Sequence, residues 1–168
     1  MDKIAIIYGS STGNTETVAL KMAEMIGRDM AEPINVKDLT PSRLEKYRNL
    51  IFGTSTRGIG ELQEDWKNFL PELAKADLSN RVIALYGLGD YESYPESFVD
   101  GMGILYKIIR DKGCTIIGQT GTAGYQFDFS TAVHGHAFIG LPLDQDNDAS
   151  LTEDRIKGWL KEILNQFV

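Results

Sequence analysis

Four short runs of this chain are apolar almost without interruption: Ile4 to Tyr8 (IAIIY), Asn49 to Phe52 (NLIF), Arg81 to Tyr86 (RVIALY) and Cys114 to Ile117 (CTII). A strand with one wet face alternates apolar and polar residues, so runs like these require a sheet covered on both sides, which is the condition of parallel sheets. A weaker run spans Ile34 to Val36. Between the runs the apolar spacing changes to that of helices. Val18, Met22, Met25 and Ile26 form one stripe, with Gly27 placed to end it; Trp66, Phe69, Leu70 and Leu73 form a second. Phe98, Met102, Leu105 and Ile109 make a third, ending near Gly113. Ile156, Trp159, Leu160, Ile163, Leu164 and Phe167 make the last, opened by Ser150 and Glu153 at capping-box spacing. Strands alternating with helices of this length specify right-handed βαβ units and a doubly wound α/β sheet.

The rhythm fails once. Residues 118–150 contain no helical stripe but hold a further strand-like piece, Ala137 to Leu141. Connections this long are uncommon without a reason, so the segment reads as an excursion that interrupts or extends the sheet edge. With 168 residues and 42% hydrophobic content, one core is expected, in a single domain over 1–168. The balance of 17 basic against 24 acidic residues, net −7, excludes a nucleic-acid or anionic-membrane binder and suits basic protein partners. Cys114 is the sole cysteine, which rules out an intrachain disulfide and a CxxC pair and points to a reducing cytosol. The opening MDKIAIIYG has no signal-peptide layout, and no apolar stretch approaches the length of a membrane span. A cytoplasmic protein is expected. His134 and His136 have no third ligand nearby, so no metal site is expected.

Chemistry is concentrated in the loops that leave the strands. Ligands of open α/β sheets sit outside the carboxyl ends of the strands, where strand order reverses. The first such loop, Gly9 to Thr15, is rich in hydroxyls, opens a helix and contains no cation. A helix start offers free N–H groups and a positive dipole end, and Ser10, Ser11, Thr12 and Thr15 add donors suited to a terminal phosphate. It is not a nucleoside-triphosphate loop, because GxxxxGK[ST] would need a lysine, and no GxGxxG fingerprint occurs. After the third strand comes Gly53-Thr54-Ser55-Thr56-Arg57-Gly58-Ile59-Gly60, and after the fourth Gly87-Leu88-Gly89-Asp90-Tyr91-Glu92-Ser93-Tyr94-Pro95. Their glycines permit close backbone approach, and Tyr91 and Tyr94 offer stacking surfaces for a flat ring. A monophosphate with a planar aromatic head fits this inventory.

On these residues the chain resembles the flavodoxins, of the long-chain kind. Ile6 to Ala19 matches the family's phosphate signature at Tyr8, Ser10, Gly13, Thr15 and Ala19, and GIGELQEDW (58–66), YGLGD (86–90), GTAGYQFD (121–128) and LPLDQDN (141–147) match at the expected spacing. The resemblance implies a flavodoxin-like three-layer sandwich with a five-stranded parallel sheet, order 2-1-3-4-5, and an insertion in the last strand. It implies non-covalent FMN and a monomeric, low-potential one-electron carrier that is not an enzyme. Its partners would be a flavodoxin/ferredoxin-NADP reductase-like donor and redox-enzyme acceptors such as nitrogenase or a photosynthetic chain. Carried over by position, Ser10, Ser11, Thr12, Gly13, Asn14 and Thr15 would take the phosphate, with Thr54, Ser55 and Thr56 closing on phosphate and ribityl. Arg57, Gly58, Ile59 and Gly60 would line one side of the isoalloxazine; Leu88, Gly89 and Asp90 the pyrimidine edge; Tyr94 would stack on the outer face, with Ser97, Phe98 and Asp146 adjoining. Gly58 would ease the peptide rotation that follows flavin protonation.

Two features bear on how such a protein would be tuned. Where the family often has tryptophan, this chain has Arg57, whose guanidinium could stack on the ring, pair with the phosphate or swing to solvent. Glu61, Asp65, Asp90, Glu92, Glu96, Asp144 and Asp146 fall in or beside the site loops. A carboxylate about 10 Å from an added electron costs roughly 1.7 kcal/mol at an effective dielectric near 20, or about 70 mV. Two rivals share the topology. A quinone reductase would need a second substrate pocket, and a receiver domain an acidic cluster with a lysine in place of SSTGNT.

Overall fold

The computed structural model describes all 168 residues. The central sheet is built on β1 (Ile4–Gly9), β2 (Ala31–Asn35), β3 (Asn49–Arg57) and β5 (Val82–Leu88), all parallel, in the order β2-β1-β3-β5. The last position is filled in two pieces. β6 (Thr115–Ile117) pairs with Val82 to Ala84, and β10 (Leu141–Leu143) pairs with Tyr86 to Leu88, so both halves complete one strand beside β5. The expected order 2-1-3-4-5 and the insertion in the last strand follow. The inserted chain makes its own small antiparallel sheet from β7 (Thr120–Gly121), β8 (Val133–His134) and β9 (Ala137–Phe138).

Alternation along each strand sorts the core into two layers. Ile4, Ile6 and Tyr8 join one buried cluster while Ala5 and Ile7 join the other, and Leu50, Ile51 and Phe52 alternate in the same way. Helices α1 (Asn14–Ile26) and α5 (Thr152–Ile163) cover one face through Val18, Met22, Ile156 and Trp159. Helices α3 (Glu64–Lys75) and α4 (Asp100–Ile109) cover the other through Trp66, Phe69, Met102 and Leu105, and a one-turn α2 (Pro41–Leu44) adds Leu44 to the same cluster. A fully buried side chain of this kind contributes about 1.5–3 kcal/mol.

The elements depart from the expected boundaries at several places, the first being the weak strand read as Ile34 to Val36, which runs over Ala31–Asn35 and leaves Val36 in a 3₁₀ turn. β3 runs on through Arg57 and returns as the antiparallel β4 (Glu61–Leu62), so the glycine- and hydroxyl-rich stretch is strand and tight turn, not loop. Phe98 precedes α4: Val99 sits at φ 50°, a left-handed conformation no helix interior admits. Ser150 and Glu153 form no capping box, because a 3₁₀ turn at Ala149–Leu151 leads into α5 and no side chain caps it. Met25 is 38% exposed; Val18, Ala19, Met22 and Ala23 carry the buried face instead. The piece read as Ala137 to Leu141 divides between β9 and β10 around Gly140.

Candidate functional site

At the carboxyl ends of β1, β3 and β5 lies an open cavity of about 630 Å3. One end is walled by Ser11, Thr12, Asn14 and Thr15, the middle by Ser55, Thr56, Arg57 and Gly58, and the other end by Leu88, Gly89, Asp90, Tyr94, Ser97, Gln145 and Asp146. Four segments far apart in sequence thus meet, where a topological switch point places a ligand site.

The first end is a helix start without a cap. Gly13, at φ 96°, stands at the N-cap of α1 and no side chain accepts from the first turn. The Ser10 hydroxyl accepts from Gly13 N at 3.1 Å and Thr17 N reaches Gly13 O, while the N–H groups of Ser11, Thr12, Asn14, Thr15 and Glu16 meet no acceptor in the chain. Free amides at a positive dipole end bind anions. The loop is held from behind by two residues. The fully buried Tyr86 donates its hydroxyl to Thr15 O at 2.9 Å, and Gln63 donates Nε2 to Ser11 Oγ at 3.3 Å while its Oε1 caps α3 at Trp66 N. Gly53 makes room for Tyr86, since a Cβ there would lie 2.0 Å from the ring.

The middle wall carries an unpaired buried oxygen, Ser55 Oγ, beside the cavity. An orphan of this kind invites a ligand's polar group. Arg57, the cavity's one cationic wall residue, pairs with Glu64 across 3.4 Å, and both side chains are more than half exposed. Of the three conformations open to it, the guanidinium adopts the solvent-side one.

The far end is held by carboxylates. Asp144 is fully buried and accepts four N–H donors: Asp146 N and Asn147 N on Oδ1, Tyr91 N and Asn147 Nδ2 on Oδ2. Asn147 Nδ2 also reaches Asp90 Oδ1 at 2.9 Å, which accepts from the Glu92 and Ser93 amides. Desolvation alone would raise the Asp90 carboxyl, but donors from Ser93, Asn147 and Glu92 outweigh it and hold it below the usual carboxylate value. Asp146 goes the other way. Desolvation, then the charges of Asp90 and Asp144, push its carboxyl up.

Six of the residues expected at the site stand outside the cavity lining. Ser10 and Gly13 shape the first loop, and Thr54 is fully buried with its hydroxyl on Ser55 O. Ile59 is 84% exposed on the turn, and Gly60, at φ 76°, packs against Asp100. Phe98 is a core residue: only 1% exposed, it lies behind Gly89 within an aromatic cluster with Tyr91, Tyr125, Phe127 and Phe138.

A flavodoxin family model matches residues 6–159. The chain belongs to the flavodoxin family. It is 39% identical over 172 residues to Flavodoxin 1 of Azotobacter vinelandii, covering 100% of this chain and 99% of that one. It is 42% identical over 164 residues to a flavodoxin of Synechocystis sp., covering 97% and 96%. Among solved structures, a Fusobacterium nucleatum flavodoxin bound to flavin mononucleotide superimposes with TM-score 0.95 at 34% identity over 100% of both chains. Several residues that line or brace the cavity were not singled out in sequence, although they lie within the matched stretches 58–66, 86–90 and 141–147. Tyr86 reads as one more apolar strand residue, and Gln63, Gln145 and Asn147 as loop polarity. Only the hydroxyl of Tyr86, pointed inward on a strand with no polar neighbour, hints that it needs a partner.

Proposed function

We propose that this flavodoxin holds FMN in the cavity at the carboxyl ends of β1, β3 and β5 and works as a low-potential one-electron carrier. The residues fit the cofactor: uncapped amides and hydroxyls at one end suit a terminal phosphate, and a glycine-lined slot with Tyr94 suits a flat ring. Ser11 to Thr15 would take the phosphate, Ser55 and Thr56 the ribityl chain, and Gly58, Gly89, Asp90 and Tyr94 the ring. When bound, FMN supplies one-electron redox chemistry. As a flavodoxin, the protein is an electron carrier and not an enzyme.

The observation that carries the low-potential reading is the placing of charge. The phosphate end contains no cation, Arg57 is paired with Glu64, and the far end collects Asp90, Asp144 and Asp146. Anions there disfavour further negative charge on the ring and so make the fully reduced state a strong donor. The insert of residues 118–140 supports the long-chain assignment. No helix is long and apolar enough to cross a membrane, and a cytoplasmic monomer is the state we propose. With a net charge of −7, it would dock on the basic face of a reductase-like donor and of a redox-enzyme acceptor.

Stepwise anaerobic reduction of the purified protein tests this. Two resolved one-electron steps are expected, the second at low potential; a single two-electron step overturns the carrier role. NADPH alone should leave the flavin oxidised, whereas rapid bleaching favours a reductase.

A further inference from the structure

The stretch from Asp90 to Ser97 supplies Asp90, Tyr94 and Ser97 to the cavity and is held partly by itself and partly by other segments, among them the insert, whose Asp128 and Phe129 amides donate to Pro95 O. Asp90 Oδ1 holds the Glu92 and Ser93 amides, Tyr94 N returns to Asp90 O, and Ser97 N to Tyr94 O. Tyr91 anchors it outward. Its amide meets Asp144, while its hydroxyl donates to Asp148 Oδ1 at 3.1 Å. The other oxygen of that carboxylate accepts Arg155 Nη1 at 3.1 Å, and both charged side chains are only 16% exposed. Arg155, in the first turn of α5, also donates Nη2 to Gly124 O at 3.2 Å and lies 4.2 Å from the centre of the Tyr125 ring. A continuous chain of polar contacts therefore runs from the insert and α5 to the loop that bears Tyr94.

We infer that Tyr91, Asp148 and Arg155 are positioning residues that set how tightly the cavity grips FMN, although none of the three lines it. The inference rests on the FMN reading above. A wall already ordered before the ligand arrives spares the ligand that ordering cost, so freeing the Tyr91 hydroxyl should weaken binding without touching a contact. The pair is shielded enough to escape most salt screening, and an ion deprived of its partner at this depth is left uncompensated. Desolvation and the Asp148 carboxylate push the Tyr91 phenol up, so it remains a donor at neutral pH. A purely architectural role is the weaker account, because the insert and α5 have other ties. Trp159 Nε1 donates to Gly118 O at 2.8 Å and Tyr125 Oη to Pro142 O at 2.8 Å.

The test is titration of FMN into apoprotein, followed by quenching of flavin fluorescence, for wild type, Tyr91→Phe, Asp148→Asn and the double variant, with urea midpoints of each apoprotein alongside. Each single variant should bind FMN about fivefold more weakly, less than the full worth of a charge-assisted hydrogen bond because the link acts through the loop and not on the ligand. The double variant should be no weaker than the worse single one, because both remove the same link. Arg155→Lys should stay nearer wild type than Arg155→Met. Tyr91→Phe within twofold of wild type, or single effects that multiply in the double variant, overturns the inference and leaves the FMN reading intact. Wild-type apoprotein that fails to quench FMN overturns both.

Discussion

At the loop of residues 10–15 every donor facing the cavity is neutral, and what holds the loop lies behind it in the core: Tyr86 on Thr15 O and Gln63 on Ser11. At the opposite end the walls themselves are charged, and what holds them is a carboxylate, Asp144, buried among four N–H donors. Neutral backing suits a group that has only to be anchored. Charged backing fixes loops and shapes the local field at once, so on the proposed placing of FMN the end that takes the ring would tune a potential that the other end leaves alone.

The comparison breaks most severely at Gly53. An alanine there would put Cβ 2.0 Å from the ring of Tyr86, whose position is fixed by full burial and the bond to Thr15 O. Overpacking of this severity should cost about 3 kcal/mol of stability, and the displaced loop should bind FMN poorly. Urea denaturation of the apoprotein checks the first and fluorescence titration the second. An alanine variant of wild-type stability would mean that the phosphate loop is not held from the core.

Asp144→Ala comes next and strikes the other end. Removing a buried acceptor of four N–H donors should cost on the order of 2–3 kcal/mol, because charged-group hydrogen bonds are lost and the donors are stranded. The two ends should then separate by readout. Inorganic phosphate, as a probe of the first end, should protect the folded Asp144→Ala apoprotein against urea as it does wild type, but should protect Gly53→Ala less.

How much of this was legible before the fold was known follows from range. Ser11 to Thr15 and Gly89 to Tyr94 could be read because each loop carries its donors or glycines within a few residues of a strand end. The sheet order could not be had from periodicity, which orders no strands; it came with the family resemblance and agrees with the observed pairing. Phe98, expected to open a helix and to adjoin the ring, instead precedes α4 and packs in the core, because neither helical spacing nor the family resemblance shows the left-handed Val99 that turns the chain there. Tyr86, Gln63 and the Asp144 network stayed hidden for a common reason. The deciding partner of each lies on a distant segment, Thr15 for Tyr86, Ser11 for Gln63 and Tyr91 for Asp144, and a polar bond between distant segments leaves no local pattern.

Arg57→Trp should act in the opposite direction from the first two. The arginine leans to Glu64 with half its side chain in solvent, so the adjoining wall gains little apolar cover from it, and the ion pair is too exposed to matter much for stability. A tryptophan at this position should tighten FMN binding by roughly 1 kcal/mol, about fivefold, through stacking area. Equal or weaker affinity in a fluorescence titration would mean that this wall is not under-packed.

The smallest effect expected lies in the pair Asp90 and Asp146, neighbours in one cavity wall whose carboxyls are shifted in opposite directions. For Asp90 the folded value is depressed, so its contribution to stability is present above the ordinary carboxylate range near pH 4 and is lost as pH falls through the folded value. For Asp146 the folded value is raised: the fold favours its protonated form, an advantage present below about pH 4 and lost as pH rises through the folded value. At pH 7 the ionised Asp146 therefore works against the apoprotein. Asp146→Asn should stabilise it at pH 7 and do nothing at pH 3, whereas Asp90→Asn should destabilise it at pH 7. Because Asp146 is an exposed residue, solvent screening should limit its gain to a few tenths of a kcal/mol. Urea midpoints at the two pH values decide it, and a gain that persists at pH 3 would trace the effect to packing instead of charge. In the holoprotein the same substitution should raise the potential of the second electron by some tens of millivolts at low salt, less at high salt.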